Sequence, residues 1–184
     1  MAPINFNLIS TTFKYAEEDA QEELLELLEL FGDDQPESQI TDINGVLVAY
    51  TNLDAFQIID SVRQLVKNEP WLVRYVLRLI PIEAVVHTKL EDMAKALVDL
   101  TSKMHIKETF RITVERRHTL IDPNDIIVTL ASQIENKVDL KNPNWIVLVE
   151  VIGALTGISI LKADQIFRSV IEKRNSSNSY NANM

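Results

Sequence analysis

Apolar and polar positions alternate between two periods along the first third of the chain. Residues 5–13 read as a strand, with Phe6, Leu8 and Thr12 among its β-favourable side chains. Over residues 16–31 the period lengthens. Ala16, Ala20, Leu24, Leu27, Leu28 and Phe31 recur at helical spacing, and Glu18, Glu22, Glu26 and Glu29 take the opposite face. Gly32 stands where a helix C-terminus favours a residue at positive φ. Asn44-Gly45, the dipeptide suited to a type I′ turn, separates two β-favourable runs at 38–43 and 46–51. Residues 53–66 predict a second helix with Phe56, Ile59, Val62, Leu65 and Val66 inward, and 71–80 a strand that ends near Pro81. The order β-α-β-β-α-β is the ferredoxin-like pattern.

The second half repeats the mixture without a fixed internal period. Thr88 and Glu91 are spaced as a capping box for a helix to about Met104, with Leu90, Met93, Ala94, Leu97 and Leu100 as its buried stripe. Residues 109–115 alternate, Phe110, Ile112 and Val114 on one side and Arg111, Thr113 and Glu115 on the other. Asp122 and Pro123 are an N-cap and N1 pair for a helix to about Asn136. The apolar run 145–152 predicts a strand buried on both faces, 154–161 a further strand and 164–174 a short closing helix. The polar tail at 175–184 is expected to be disordered. The chain therefore reads as α/β of the α+β type, with one unit at 1–84 and a second at 85–174. Trp71 and Trp145 each follow a proline-containing turn and open an apolar run, so both are expected in the core.

Composition narrows the chemistry. The 184 residues include no cysteine, which removes disulfides, thiolate catalysis and Cys-ligated metals. His87, His105 and His118 are too scattered to suggest a metal site, and no cofactor is expected. Residues 153–157 have neither dinucleotide-fingerprint nor P-loop spacing. Residues 145–161 carry Glu150 and two glycines and are too short and interrupted to span a bilayer. With no basic, apolar leader in residues 1–10, a cytoplasmic location is expected. The formal charge of −9 is unevenly spread: residues 1–60 hold 13 acidic side chains and one basic, whereas residues 61–118 hold 11 basic and seven acidic. A polyanion responds to local potential, because salt screens exposed charges beyond about 10 Å.

Two segments resemble a known family. One is Phe110-Arg111-Ile112-Thr113-Val114-Glu115-Arg116-Arg117-His118. The other is Val138-Asp139-Leu140-Lys141-Asn142-Pro143-Asn144-Trp145, which continues into the apolar run and Thr156-Gly157-Ile158-Ser159-Ile160. Together they resemble the THUMP domain of tRNA thiouridine synthases, of tRNA and rRNA methyltransferases and of pseudouridine synthases. The preceding unit resembles the ferredoxin-like partner of that domain. Arg78-Leu79-Ile80-Pro81-Ile82 is similar to the junction of stand-alone THUMP proteins that act as adaptors for tRNA cytidine acetyltransferase. The resemblance implies a non-catalytic chain that binds the acceptor stem and 3′ end of tRNA and has a separate acetyltransferase as partner. Arginine forks engage phosphate bidentately, so Arg111, Arg116, Arg117 and Lys141 are the first candidates for RNA contact, and Arg74, Arg78, Lys103 and Lys107 the second. A ligand-sensing or protein-interaction regulator on ferredoxin-like units is the alternative. Nothing in the pattern sets an oligomeric state.

Overall fold

Apolar stripes of the two halves close into two separate cores in a computed structural model that describes residues 5–181, with side chains to Asn175. The strands are β1 (Leu8–Thr11), β2 (Glu37–Ile40), β3 (Val46–Tyr50), β4 (Arg78–Pro81), β5 (Ala84–His87), β6 (Thr109–Arg117), β7 (Lys137–Val138), β8 (Trp145–Ile152), β9 (Leu155–Leu161) and β10 (Phe167–Arg168). The helices are α1 (Glu17–Leu30), α2 (Ala55–Asn68), α3 (Leu90–Leu100), α4 (Pro123–Ala131) and α5 (Ser169–Asn181). The expected mixed α+β class is observed.

The first unit comprises residues 1–81 and 164–184. Its sheet has the order β10-β4-β1-β3-β2, all antiparallel, which is the ferredoxin-like arrangement with β10 added at one edge. Leu24, Leu27 and Leu28 of α1 and Ile58, Ile59, Val62 and Val66 of α2 pack on Leu8, Ala49 and Leu79 of the sheet. Asp54 caps α2 by accepting from the N–H groups of Phe56 and Gln57. The second unit, residues 82–163, has the sheet order β5-β9-β8-β6-β7, with β6 parallel to both β7 and β8. Met93, Leu97, Ile126 and Leu130 of its helices cover Phe110, Val147, Val149 and Ile158. Central position explains the unbroken apolar run of β8, which is buried from Ile146 to Ile152.

The structure differs from the sequence expectation in several places. The boundary falls at Pro81 and Ile82, and the segment from Asp164 returns to the first unit. Phe167 anchors that return: it is fully buried in the first core, worth about 2–3 kcal/mol. Arg63 of α2 also holds it, donating from Nε to Glu172 at 2.9 Å and from Nη2 to the Asp164 carbonyl at 2.5 Å. Helix α5 runs to Asn181, through a segment expected to be disordered, while 182–184 lie outside the described residues. Only Gly45 of the Asn44-Gly45 pair has positive φ, so the corner is not type I′. A Cβ there would lie 2.7 Å from the Thr12 carbonyl oxygen, so glycine is required by space as well as by angle. Thr88 does not cap α3. Its hydroxyl meets that of Thr156 at 3.0 Å, just past the end of β5, a strand that the apolar pattern did not predict and that pairs with β9. The strand expected at 71–80 is a 3-10 turn, Pro70–Leu72, followed by the short β4.

Two buried carboxylates act as struts of the first unit. Glu23 of α1 accepts from the N–H groups of Arg74 at 2.6 Å, Tyr75 at 3.0 Å and Val76 at 2.8 Å, which fastens the loop before β4 to the helix. Asp33 accepts from the Thr51 hydroxyl at 2.5 Å and from the N–H groups of Asn52 and Gln35 at 3.0 and 3.2 Å. Burial opposes ionisation of Asp33, but these donors outweigh it and hold its pKa below the usual carboxylate value. A depressed folded-state pKa stabilises above the unfolded pKa and loses that contribution as pH falls through the folded one. Asp33→Ala is therefore expected to cost about 2 kcal/mol near neutral pH, with the gap to wild type narrowing below about pH 4 in urea melts. A gap independent of pH would show that the carboxylate's charge is not what holds Thr51 and Asn52.

Candidate nucleic-acid interface

Parallel pairing brings the starts of β6 and β8 side by side, Phe110 opposite Trp145, and places Lys137 of β7 opposite Thr109. Antiparallel β9 ends at the same place, with Leu161 opposite Ile146, so Lys162 follows directly. One end of this sheet thus gathers Lys107, Arg111, Lys137, Lys141 and Lys162. Lys107, Lys137 and Lys141 are exposed. The Lys162 ammonium lies 5.2 Å from the centroid of the Trp145 ring. Arg111 is half-buried. Its Nη1 reaches the Leu140 carbonyl at 3.4 Å, while its Nε, shielded from solvent, meets no acceptor among the described residues.

The loop between β7 and β8 is held by its own polar side chains. Asp139 accepts from the N–H groups of Lys141 at 2.9 Å and Asn142 at 3.0 Å. Asn144 accepts from the N–H and the hydroxyl of Thr109 at 2.8 and 3.0 Å, which fixes the far end of the loop to the start of β6. The result presents Lys141 and leaves Leu140 71% exposed, an apolar side chain at the centre of a cationic surface. Acids at this end include Glu108, Asp139 and Glu135. Donation from the Trp145 indole and the His105 N–H lowers the pKa of Glu108, and the amides of Asn142 and Lys141 lower that of Asp139. Both stay ionised, but their oxygens are turned to internal donors. The cations outnumber the carboxylates here, whereas the second unit as a whole holds 11 acidic and 10 basic side chains.

Six of the eight residues expected to contact RNA lie in the second unit, and they are not assembled there as one surface. Arg111 and Lys141 meet at the β6 start, with Lys107 in the turn before it. Arg117 shares a face of β6 with Arg111 but lies six residues on, about 20 Å along the strand. It is committed to Glu150 of β8, which is fully buried and accepts from its Nη1 at 2.7 Å. Glu115 stands opposite Glu150 in the ladder, so Arg117 offsets the repulsion of two acids inside the sheet. Arg116 is exposed on the other face, with Nη1 3.3 Å from the Ile121 carbonyl. Alternation thus sends Arg116 and Arg117 to opposite faces of β6, and a buried acid takes one of them. Lys103 is paired with Glu83 and so bound to its own sheet. Arg74 and Arg78 belong to the first unit. Arg74 donates to the Trp71 carbonyl beside acidic α1, and Arg78 stands opposite Arg168 in the β4–β10 ladder. Burial first, and then the charge of Arg78, lowers the pKa of Arg168.

Lys137 and Lys162 escaped the sequence reading. Each is a lone lysine, and only the register of β6, β7, β8 and β9 brings them to Lys141. The expected core placement of the tryptophans divides. Trp145 packs against the second core with its indole N–H on Glu108 at 2.8 Å, whereas Trp71 is 58% exposed.

Removing one partner of a buried ion pair strands the other. Glu150→Ala is expected to cost about 3 kcal/mol and lower the melting temperature, and Glu150→Leu combined with Arg117→Met to recover most of that loss. Melting of Glu150→Ala at the wild-type temperature would show that the pair does not support the sheet.

Comparison with known proteins bears on the same region. The THUMP domain model matches residues 87–161. Human THUMP domain-containing protein 1 is 30% identical over 135 residues, covering 68% of this chain and 38% of the human protein. The mouse protein of that name matches equally at 30% identity over 39% of its length, so the chain spans well under half of these curated relatives. The crystal structure of PH1313 from Pyrococcus horikoshii has a TM-score of 0.67 at 17% identity, covering 85% of this chain and 54% of that one. A 4-thiouridine synthetase crystallised with RNA and ATP has a TM-score of 0.56 at 14% identity, covering 89% and 42%. These structural likenesses show a shared fold across both units. The β7–β8 loop and every cation of this end but Lys162 thus lie within a THUMP domain, which this chain carries at residues 87–161.

Proposed function

We propose that the chain is a tRNA-binding adaptor whose THUMP domain grips RNA phosphates at the shared start of β6 and β8. The observation that carries this reading is the convergence of Lys107, Arg111, Lys137, Lys141 and Lys162 around a loop braced by Asp139 and Asn144. Folded RNA is recognised mainly through its shape, phosphates and 2′-hydroxyls, and a cationic rim can engage the phosphates. Arg111 brings a planar fork already steadied by the Leu140 carbonyl, and the lysines follow the backbone as point charges. Exposed Leu140 offers an apolar contact for a ribose or base of an unpaired end. A structurally similar 4-thiouridine synthetase has been crystallised with RNA and ATP, which favours RNA as the class of ligand.

On this reading the chain performs no chemistry itself and presents the acceptor stem and 3′ end to a separate enzyme. The similarity of residues 78–82 to stand-alone THUMP adaptors favours tRNA cytidine N4-acetyltransferase as that enzyme, acting in the cytoplasm. Among the described residues no helix is long and apolar enough to cross a membrane.

Gel shifts with tRNA over a salt series test the site. Five phosphate contacts predict a log–log slope of about −4, and Lys141→Ala or Lys137→Ala is expected to reduce its magnitude by about 1. Lys103→Gln, which removes a cation already paired with Glu83, is expected to leave both slope and affinity unchanged. Wild-type affinity in a Lys137→Ala/Lys141→Ala variant would move RNA away from this end. A small metabolite that raises the melting temperature, with no RNA affinity at low salt, would favour the ligand-sensing alternative.

A further inference from the structure

We infer that the first unit carries a docking groove for a basic protein segment, formed between the acidic face of α1 and the 3-10 turn Pro70–Leu72. Trp71 and Leu72 of that turn are 58% and 41% exposed, large apolar side chains that the core left outside. Facing them across a groove of about 400 Å³ are Asp19, Glu22 and Glu26 of α1. The loop that carries Trp71 does not move freely: Glu23 holds the amides of Arg74, Tyr75 and Val76, and Arg74 turns back onto the Trp71 carbonyl. A preorganised tryptophan beside a carboxylate wall is the composition of an interface anchor, where tryptophan truncation is among the costliest changes.

Charge selects the occupant. The first unit holds 16 acidic and eight basic side chains, and α1 has three acids in its first turn and no base in its last. Phosphates are repelled by such a wall, so the exposed indole is not a platform for nucleic-acid bases. The complementary ligand is a protein segment with lysines or arginines flanking an apolar side chain, the apolar group seated on Trp71 and Leu72 and the cations on Glu22 and Glu26. The inference does not depend on RNA binding, since it concerns the other unit. It supplies the adaptor reading with a surface for its partner.

Fluorescence anisotropy of labelled peptides on the full chain tests it, using a Lys/Leu peptide, a Lys-only peptide of equal charge and a Glu/Leu counterpart. The Lys/Leu peptide is expected to bind about tenfold tighter than the Lys-only one, and Trp71→Ala to lower its affinity about tenfold or more. Glu22→Gln/Glu26→Gln is expected to weaken binding and flatten its salt dependence, with tRNA gel shifts and thermal melts as in wild type. Leu72→Ser gives a second, smaller probe of the apolar wall should Trp71→Ala not fold. Equal affinity for the Lys/Leu and Lys-only peptides, binding of the Glu/Leu peptide, or unchanged affinity in both wall variants would overturn the inference. So would a dimer in sedimentation that Trp71→Ala dissolves, which would give the groove to a second copy. Loss of tRNA binding in wild type would count against the RNA reading alone.

Discussion

Parallel strands begin at the same end of a sheet, and β6 and β8 make that geometry decide which charges of this chain work together. Their ladder runs from Phe110 opposite Trp145 to Arg117 opposite Ile152. Everything that enters these strands, the turn with Lys107 and the loop with Lys141, therefore gathers at one end, and β7 and the exit of β9 add Lys137 and Lys162. What leaves β6 is carried about 25–30 Å away, at roughly 3.3 Å per residue. Arg116 and Arg117 are at that distant end, where the nearer demand is Glu150. A sheet with β6 and β8 antiparallel would have put Arg117 beside the start of β8 and dispersed the surface.

Acidic residues build much of the internal framework of this acidic chain. Glu23 collects three amides and fixes the loop ahead of β4, Asp33 joins the end of α1 to the exit of β3, Asp139 folds the β7–β8 loop, and Glu150 is neutralised within a central strand. Buried or tied carboxylates answer to hydrogen-bond donors at fixed positions, whereas exposed ones such as Glu22 and Glu26 set the field of a surface. Net charge merges these roles, which is why −9 says little about whether the chain binds a polyanion.

Periodicity made the elements readable where one face is buried and the other wet. It found α1, α2, the alternation of β6 and the two-sided burial of β8, and the Asp122–Pro123 start of α4 followed from capping chemistry, with Asp122 accepting from the Asn124 N–H at 2.7 Å. It missed what depends on distant partners. Two residues, Phe167 and Arg168, form an edge strand only because β4 is there to receive them. Thr88 reads as a cap until β9 brings the Thr156 hydroxyl within reach of its own. The Arg116-Arg117 pair reads as one basic patch because sequence adjacency hides the alternation that sends neighbours to opposite faces. Trp71 was expected inside from its apolar run, but a 3-10 turn breaks the strand and leaves the indole outside.

The central claim is that RNA lies across the shared start of β6 and β8, and lysine acetylation footprinting with and without tRNA reads it directly. The account predicts that bound tRNA protects Lys107, Lys137 and Lys141, all exposed in the free chain, while Lys14 of the first unit stays fully reactive. Unchanged reactivity at those three lysines under saturating tRNA would contradict it.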